Sequence, residues 1–413
     1  MKRDLFTELK ERGFVYQMNA PEEVIKAKLN GEPMTFYLGI DPTADSIHLG
    51  TLVSAMFFRL LQKHGHKGLL LLGGATGQIG DPSGRNDMRK MMGKDWTKNN
   101  VEGIKKVISN IIDFSEENGC KIVNNADWMN DISYIDFLRT VGTHFNVNTM
   151  LSAEAYAKRL ENGGLTFLEM GYMLIQANDF VHLHDEYGCT FQIGGSDQWG
   201  NILAGSTLYK KMYGEEKEPI YCLTCPLLLN AEGNKMGKSA NGTIWLSKEK
   251  TSPFDMYQYL YNVDDRDVEG LLKRLTDLDL DEIEEIMKGD ILVAKRKMAY
   301  EIVKLIHGQE DADKVLEAVD ALFKGKTNLD NVPVFDYPLN ELKKGINVLE
   351  LCVISRFIES KSEARRLVLA GGLSCNDQKI TDLNASLTEK DLVDNEYVLL
   401  KKGKKNFLKV NFK

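Results

Sequence analysis

Three groups of residues have the types and spacing to do chemistry. The first is the stretch GNKMGKS, residues 233–239, in which Lys235 and Lys238 flank a Met-Gly pair and Ser239 follows. Ammonium groups on a glycine-containing loop are point charges suited to phosphate oxygens. The stretch is not a P-loop, because Glu232 stands where that motif needs its first glycine and Ala240-Asn241-Gly242 reads as more loop, not helix. Taken alone it reads best as a surface loop with two solvated lysines. The second group is Thr43 with His48-Leu49-Gly50, at the start of a helical pattern. Neutral donors beside the free N–H groups of a helix start attract anions, although a histidine satisfied by its own surroundings is the more ordinary reading. The third is Tyr172, Gln176 and Asp179, at i, i+4 and i+7 in GYMLIQANDF, residues 171–180. That spacing puts them on one helix face, and a phenol, an amide and a carboxylate there suit a polar pocket better than a core.

These residues need elements to hold them. Thr35–Ile40 reads as a strand, followed by a loop and a helical pattern over 49–64. The apolar run 69–72 ends in Gly73-Gly74, and residues 190–193 end in Gly194-Gly195. Apolar runs that stop at glycines and alternate with helices predict a Rossmann-like α/β fold with a parallel sheet. Ligands of such sheets bind at the carboxyl ends of the strands. Residues 252–323 are helical and highly charged, opening at Ser252-Pro253. Residues 324–345 carry two prolines and little periodicity, and read as a linker. In the tail, Ser360-x-x-Glu363 is a capping box, Gly371-Gly372 ends the helix, and a hairpin is expected around Asn376-Asp377.

The chain has 413 residues, 43% hydrophobic and 27% charged, which suits two or three soluble domains. No apolar run is long enough to span a bilayer. The start, Met1-Lys2-Arg3-Asp4-Leu5, has no apolar signal core, which points to the cytoplasm. Six cysteines are scattered along the chain, and Cys222-x-x-Cys225 alone is too little for zinc, so buried free thiols are expected. The net charge of −8 argues against broad nucleic-acid binding. Residues 347–413 nevertheless carry 12 basic and 9 acidic side chains, net +3, which leaves −11 for the rest. Lys361, Arg365 and Arg366 share a helix face there, either solvated or in contact with an RNA backbone.

The His-Leu-Gly and Lys-x-x-Lys-Ser stretches together resemble the two signatures of class I aminoacyl-tRNA synthetases. YLGIDPTADSIHLG (37–50), GGATGQIGDPSGR (73–85), GYMLIQANDF, FQIGGSDQWGNI (191–202), KMGKS and the tail extend the resemblance over essentially the whole chain, to the bacterial-type tyrosyl-tRNA synthetases. The resemblance implies a catalytic domain with a connective insertion over 1–230 and a signature loop with a small all-helical anticodon-binding domain over 231–323. After the linker at 324–345 it implies an S4-like α+β RNA-binding domain over 346–413. It implies that tyrosine and ATP give tyrosyl-adenylate and pyrophosphate, and that tRNA(Tyr) then takes the tyrosine at its 3′ end. By this similarity Tyr37 and Asp179 bind the phenol, Tyr172, Gln176 and Asp81 the ammonium group, and Gln192 and Gln198 line the cavity. Gly39, Asp41, Gly50, Thr51, Gly194 and Asp197 meet the nucleotide, with Asp197 at the ribose. Thr43, His48, Lys235, Lys238, Ser239 and Arg85 hold phosphates in the transition state. Mg2+ accompanies ATP without dedicated protein ligands, and a homodimer contact falls at 137–150.

Three positions depart from the family pattern. Thr51 stands where a histidine is common, Leu38 where some relatives carry cysteine, and Gly237 where serine is commoner. Tryptophanyl-tRNA synthetases share the fold and chemistry, but Asp179 with Tyr37, and the S4-like tail, favour a phenol over an indole. A nucleotidyltransferase would need neither the acceptor-rich pocket nor the tail. A non-catalytic RNA-binding relative would not need His48 and both lysines.

Overall fold

The strand Lys67–Leu72 is buried from Gly68 onward, the mark of a strand covered by helices on both faces. In the computed structural model it lies in a six-stranded sheet. The structure describes residues 3–83, 94–116, 119–161, 164–239, 242–324, 332–376, 378–393, 396–403 and 406–413. The strands of this sheet are β1 (Gln17–Met18), β2 (Thr35–Ile40), β3 (Lys67–Leu72), β4 (Lys121–Asn124), β5 (Cys189–Gly195) and β6 (Tyr221–Cys225). Their order is β1-β6-β5-β2-β3-β4. Strands β2 to β6 are parallel, whereas β1 runs antiparallel along β6. The sheet is therefore mixed at one edge, where a two-residue strand outside the crossover units is free to run either way.

From β2 the chain steps to β3 and β4 on one side, and from β5 it steps to β6 on the other. The direction reverses between β2 and β5, and open α/β sheets take their ligands beyond the carboxyl ends of the strands at such a point. The helix Leu49–Lys63 follows β2 and buries Leu52, Val53, Met56, Phe57 and Leu60. The helix Phe167–Tyr187 precedes β5; a Thr166/Glu169 capping box starts it and left-handed Gly188 ends it. Trp199–Tyr213 follows β5.

The chain divides into two compact units. The first comprises Met1–Gly237, Trp245–Ser247 and Asp264–Ala294. The helices Val268–Leu275 and Leu280–Met287 thus belong with the α/β sheet, not with a separate helical domain over 231–323. The cause is side-chain reach. Buried Arg12 donates to the backbone oxygens of Lys273 (2.9 Å) and Leu278 (2.8 Å), and Arg59 is ion-paired with Asp277 at 2.6 Å.

The second unit comprises Lys238–Ile244, Lys248–Val263 and Lys295–Lys413. It holds the short hairpin β7 (Lys238–Ser239) and β8 (Gly242–Thr243), and the helices Pro253–Tyr261 and Gln309–Lys324. Ser252 caps the first of these helices, with Pro253 in its first turn, as the sequence predicts. The tail strands are β9 (Val334–Tyr337), β10 (Ile346–Asn347), β11 (Leu373–Cys375), β12 (Gln378–Lys379), β13 (Ser386–Leu387), β14 (Tyr397–Lys402) and β15 (Asn406–Phe412). Five of them form a sheet in the order β12-β11-β14-β15-β9, and β10 pairs with β13. The expected hairpin joins β11 to β12, with Asn376 at φ 48°. The linker reading does not hold for residues 332–345. There β9 pairs in parallel with β15, Phe335 and Tyr337 pack on the tail core, and the helix Leu339–Lys343 follows. A four-residue strand between prolines carries too little periodicity to read.

All six cysteines are buried and free. Among the described residues no helix is long and apolar enough to cross a membrane.

Candidate active site

Tyr37 on β2 and Gln192 on β5 are direct partners across the switch point. They are 1% and 2% exposed. Neither Tyr37 Oη nor Gln192 Oε1 has a hydrogen-bond partner among the described residues. A buried polar group left unpaired costs on the order of 1–3 kcal/mol. Two such groups side by side in the middle of neighbouring central strands mark a place for a polar group of a ligand. Asp179, on the Phe167–Tyr187 helix, is 1% exposed. Its carboxylate accepts from Asn125 Nδ2 at 3.0 Å and Trp128 Nε1 at 2.9 Å. Burial pushes Asp179 up to about 7, against the pull of its two donors. Burial first, and the Asp179 charge second, hold the Tyr37 phenol well above its ordinary range. Phe180 packs edge-on against the Tyr37 ring at 5.1 Å.

A second polar set continues from the first. Tyr172 Oη donates to Asp41 Oδ2 at 2.8 Å, and Thr76 Oγ1 donates to Asp41 Oδ1 at 2.7 Å. Asn125 Nδ2 reaches Thr76 Oγ1 at 3.1 Å, so a continuous chain of contacts links Tyr172 to Asp179. The chain requires glycine at 73, where a Cβ would lie 2.0 Å from Asp41 Oδ1 and 2.3 Å from Thr76 Oγ1. Buried Asp81 accepts from Gln198 Nε2 at 2.6 Å and from the Ser83 N–H at 2.9 Å. Gln176 is half-buried on the same helix as Tyr172 and Asp179.

His48 caps the Leu49–Lys63 helix, its Nδ1 accepting from the Thr51 N–H at 3.3 Å, and no acidic residue stands in the first turn. The positive end of this helix is therefore uncompensated. Trp245 pairs with the His48 backbone, their rings 6.2 Å apart. Met236-Gly237 lies against the helix start: a Cβ on Gly237 would sit 3.3 Å from Leu49 Cβ and 3.4 Å from the Gly50 nitrogen. The start of the Lys-x-x-Lys-Ser stretch and the His-Leu-Gly stretch are thus neighbours in space. The departure at Gly237 has a backbone cause, since its φ is 89°, a region that favours glycine. Lys235 is exposed, its backbone paired with Leu229. Thr43 is half-buried in a tight turn on the Asp41 carbonyl, Gly39 is exposed, Gly194 is buried, and Asp197 is exposed in the turn Ser196–Gln198.

Arg85, and the side chains of Lys238 and Ser239, lie outside the described residues. Lys361, Arg365 and Arg366 are in the second unit, exposed on the Lys361–Leu369 helix, whose Ala364 and Val368 are buried. Lys361 is paired with Glu350 at 3.1 Å.

Among the residues that touch the expected set but escape sequence reasoning are Thr76, Asn125 and Trp128. The signal for them is positional. Asn124-Asn125 falls directly at the end of β4, where an open sheet collects its ligand groups.

Residues 29–324 match the family model of class I tRNA synthetases (W and Y), and residues 326–410 match that of the tyrosine–tRNA ligase SYY-like C-terminal domain. The tyrosine–tRNA ligase of Clostridium tetani is 46% identical over 413 residues, covering 99% of both chains. That of Fusobacterium nucleatum is 47% identical over 410 residues, covering 98% of both. Among solved structures, a C-terminally truncated Aspergillus nidulans mitochondrial tyrosyl-tRNA synthetase superposes with a TM-score of 0.69 at 31% identity, covering 78% of this chain and 95% of that one. By fold and by sequence over its whole length, the chain belongs to the class I aminoacyl-tRNA synthetases, in the bacterial-type tyrosyl-tRNA synthetase family.

Proposed function

We infer that the chain is a tyrosine–tRNA ligase, which activates L-tyrosine with ATP and transfers it to the 3′ end of tRNA(Tyr). The observation that carries the choice of amino acid is the buried pair Tyr37 Oη and Gln192 Oε1, without partners among the described residues, with the Asp179 charge acting on Tyr37. A phenol hydroxyl is donor and acceptor at once. On this reading it donates to Asp179 and accepts from Tyr37, while Gln192 lines the cavity. Phenylalanine would leave these groups unpaired; tyrosyl-tRNA synthetases are themselves the usual illustration of that rejection. Asp81, with Tyr172, Gln176 and Gln198, surrounds the substrate ammonium with acceptors and negative charge, and Asp41, bonded to Tyr172, faces the nucleotide.

In the first step a tyrosine carboxylate oxygen attacks the α-phosphorus of ATP and pyrophosphate leaves. In the second, the terminal ribose hydroxyl of the tRNA attacks the adenylate carbonyl and AMP leaves. Neither step calls for a covalent enzyme intermediate, so the protein positions the reactants and stabilises charge. His48 and Thr43 act as neutral donors to phosphate at the helix start. Lys235, Lys238, Ser239 and Arg85 supply the remaining phosphate contacts. Asp197 holds the ribose, and Gly39, Gly50, Thr51 and Gly194 let the nucleotide approach the backbone. Mg2+ enters with the nucleotide. On this reading its ligands are phosphate oxygens and water.

The reading extends to a cytoplasmic homodimer whose contact includes 137–150. Leu138 and Val147 are exposed there, as are Tyr134 and Ile135 just before it, the kind of apolar side chains a partner covers. Static light scattering that gives a monomer at working concentration would remove this part. Lys361, Arg365 and Arg366 contact the tRNA backbone. The test of the activity is ATP–pyrophosphate exchange with tyrosine, phenylalanine and tryptophan offered separately. Exchange with tyrosine alone is expected. Exchange with tryptophan would overturn the reading of Tyr37 and Asp179, and no exchange with any of the three would overturn the activity.

A further inference from the structure

We infer that His182 is a positioning residue for tyrosine selection: its imidazole, stacked on Trp128, holds the indole N–H on the Asp179 carboxylate. The inference rests on the reading of Asp179 as the acceptor of the substrate phenol.

Trp128 sits on the helix Ala126–Met129, a single turn of four residues with no buried side chain and no side-chain cap. So short a helix has no stability of its own, and its geometry is set by what its side chains grip. At its front end Asn125 is fixed from three directions. Its Oδ1 accepts from the Ala75 N–H at 2.7 Å, and its Nδ2 lies 3.1 Å from Thr76 Oγ1 and 3.0 Å from Asp179 Oδ2. At its far end the grip comes from the Phe167–Tyr187 helix. Trp128 stacks on His182 with ring centroids 4.2 Å apart and planes 22° from parallel. Next to it, Asn178 Nδ2 lies 3.4 Å from Met129 Sδ.

Asp179 and His182 are three residues apart, hence on the same helix face. One helix therefore holds the indole at two points: by its edge, where Nε1 donates to Asp179 Oδ1 at 2.9 Å, and by its flat face on His182. A hydrogen bond alone is a pivot about which the half-buried ring can swing. The stack removes that freedom and fixes the angle on which the bond depends. Burial keeps the His182 imidazole below its ordinary range, so near neutral pH the plate is an uncharged ring. Nothing in the stack requires the charge or the ring nitrogens of histidine; it requires flatness and size.

The test uses the full-length protein and the variants His182→Ala, His182→Phe and Asp179→Asn in ATP–pyrophosphate exchange, with tyrosine and ATP varied separately. His182→Ala is expected to raise the tyrosine KM roughly 3- to 10-fold, the size of one aromatic contact. The ATP KM and kcat should stay within about two-fold of wild type, and the preference for tyrosine over phenylalanine should narrow by the same factor as the tyrosine KM. His182→Phe should restore all three, because it keeps a flat ring on the indole. A merely structural role would move both KM values and kcat together and would leave the amino-acid preference alone. An unchanged tyrosine KM in His182→Ala, or failure of His182→Phe to rescue it, overturns the inference. Asp179→Asn separates the two layers. If it abolishes exchange while His182→Ala is silent, only the positioning role fails. If it retains a wild-type tyrosine KM, the phenol reading itself fails, and this inference with it.

Discussion

Replacing Tyr37 by phenylalanine should make the ligand-free protein more stable and its tyrosine binding weaker, through the same atom. Tyr37 Oη is buried and has no partner among the described residues. Phenylalanine keeps the ring, and with it the packing against Phe180, while removing only the hydroxyl. Leaving a buried hydroxyl unpaired costs on the order of 1–3 kcal/mol, so the free variant should gain about that much. In the wild type the penalty is relieved when the substrate phenol arrives. The variant has no such relief to gain and leaves the substrate hydroxyl one partner short, so the loss in binding should be at least as large as the gain in stability. That corresponds to a tyrosine KM roughly 5- to 150-fold higher, with the KM for ATP unchanged. Phenylalanine as substrate has no hydroxyl to lose, so discrimination should fall by a similar factor. Denaturant unfolding without tyrosine gives the first quantity and pyrophosphate exchange gives the second. A variant less stable than wild type, or one with an unchanged tyrosine KM, would refute the assignment of this atom to substrate recognition.

Asp179→Asn should trade activity for stability. The folded pKa of Asp179, about 7, lies above the unfolded value, so its contribution is fully present below pH about 4 and is lost as pH rises to about 7. That loss is worth roughly 4 kcal/mol at most. The variant should lack this decline between pH 4 and 7 in urea titrations, and should not support exchange with tyrosine. Gly237→Ser restores the commoner family residue but puts a side chain at φ 89°, 3.3 Å from Leu49 Cβ. A left-handed non-glycine residue costs about 1–2 kcal/mol, so the ATP KM should rise several-fold while the tyrosine KM holds. A variant with better ATP use would show the loop adopting another backbone in the reaction. Glu8 is drawn down to about 2, first by its hydrogen bond with His64 and then by Arg12. Its stabilisation is present above pH about 4.5 and is lost as pH falls toward 2. Glu8→Gln should therefore cost on the order of 2–3 kcal/mol at neutral pH, and the difference from wild type should shrink below pH about 4.

The parallel core is legible in the sequence because strands buried on both faces must be apolar throughout, as Leu69-Leu70-Leu71-Leu72 is, and must stop where the chain turns toward the ligand. The polar face of Tyr172, Gln176 and Asp179 is legible because a helix repeats every 3.6 residues. Nothing in local periodicity could reveal Asn125 and Trp128. A one-turn helix has no period to display, and asparagines mark ordinary turns as readily as they mark binding sites. The approach of Gly237 to Leu49 and Gly50 is likewise absent from any local pattern, and the sequence suggests it only by likeness to a family. The helices Val268–Leu275 and Leu280–Met287 look like members of the helical segment around them. Their attachment to the α/β unit depends on Arg12 and Arg59, whose long side chains give no sign in the sequence of the carbonyls or carboxylate they will meet.

The stretch that reads as a linker also guards the tail against self-association. Strand β15 alternates buried and partly exposed residues along most of its length, and its outer edge is covered by β9, paired from Val334 with Lys409 to Tyr337 with Phe412. Strand β9 is itself short, and its Asp336 is tied to Lys413 at 2.7 Å; short length and charge are how exposed sheet edges are kept from recruiting another chain. Cutting the tail free at residue 346, where its sequence first looks domain-like, would strip this cover and leave Asn406–Phe412 as a bare template for aggregation. Cutting ahead of Val332 would keep the edge sheathed.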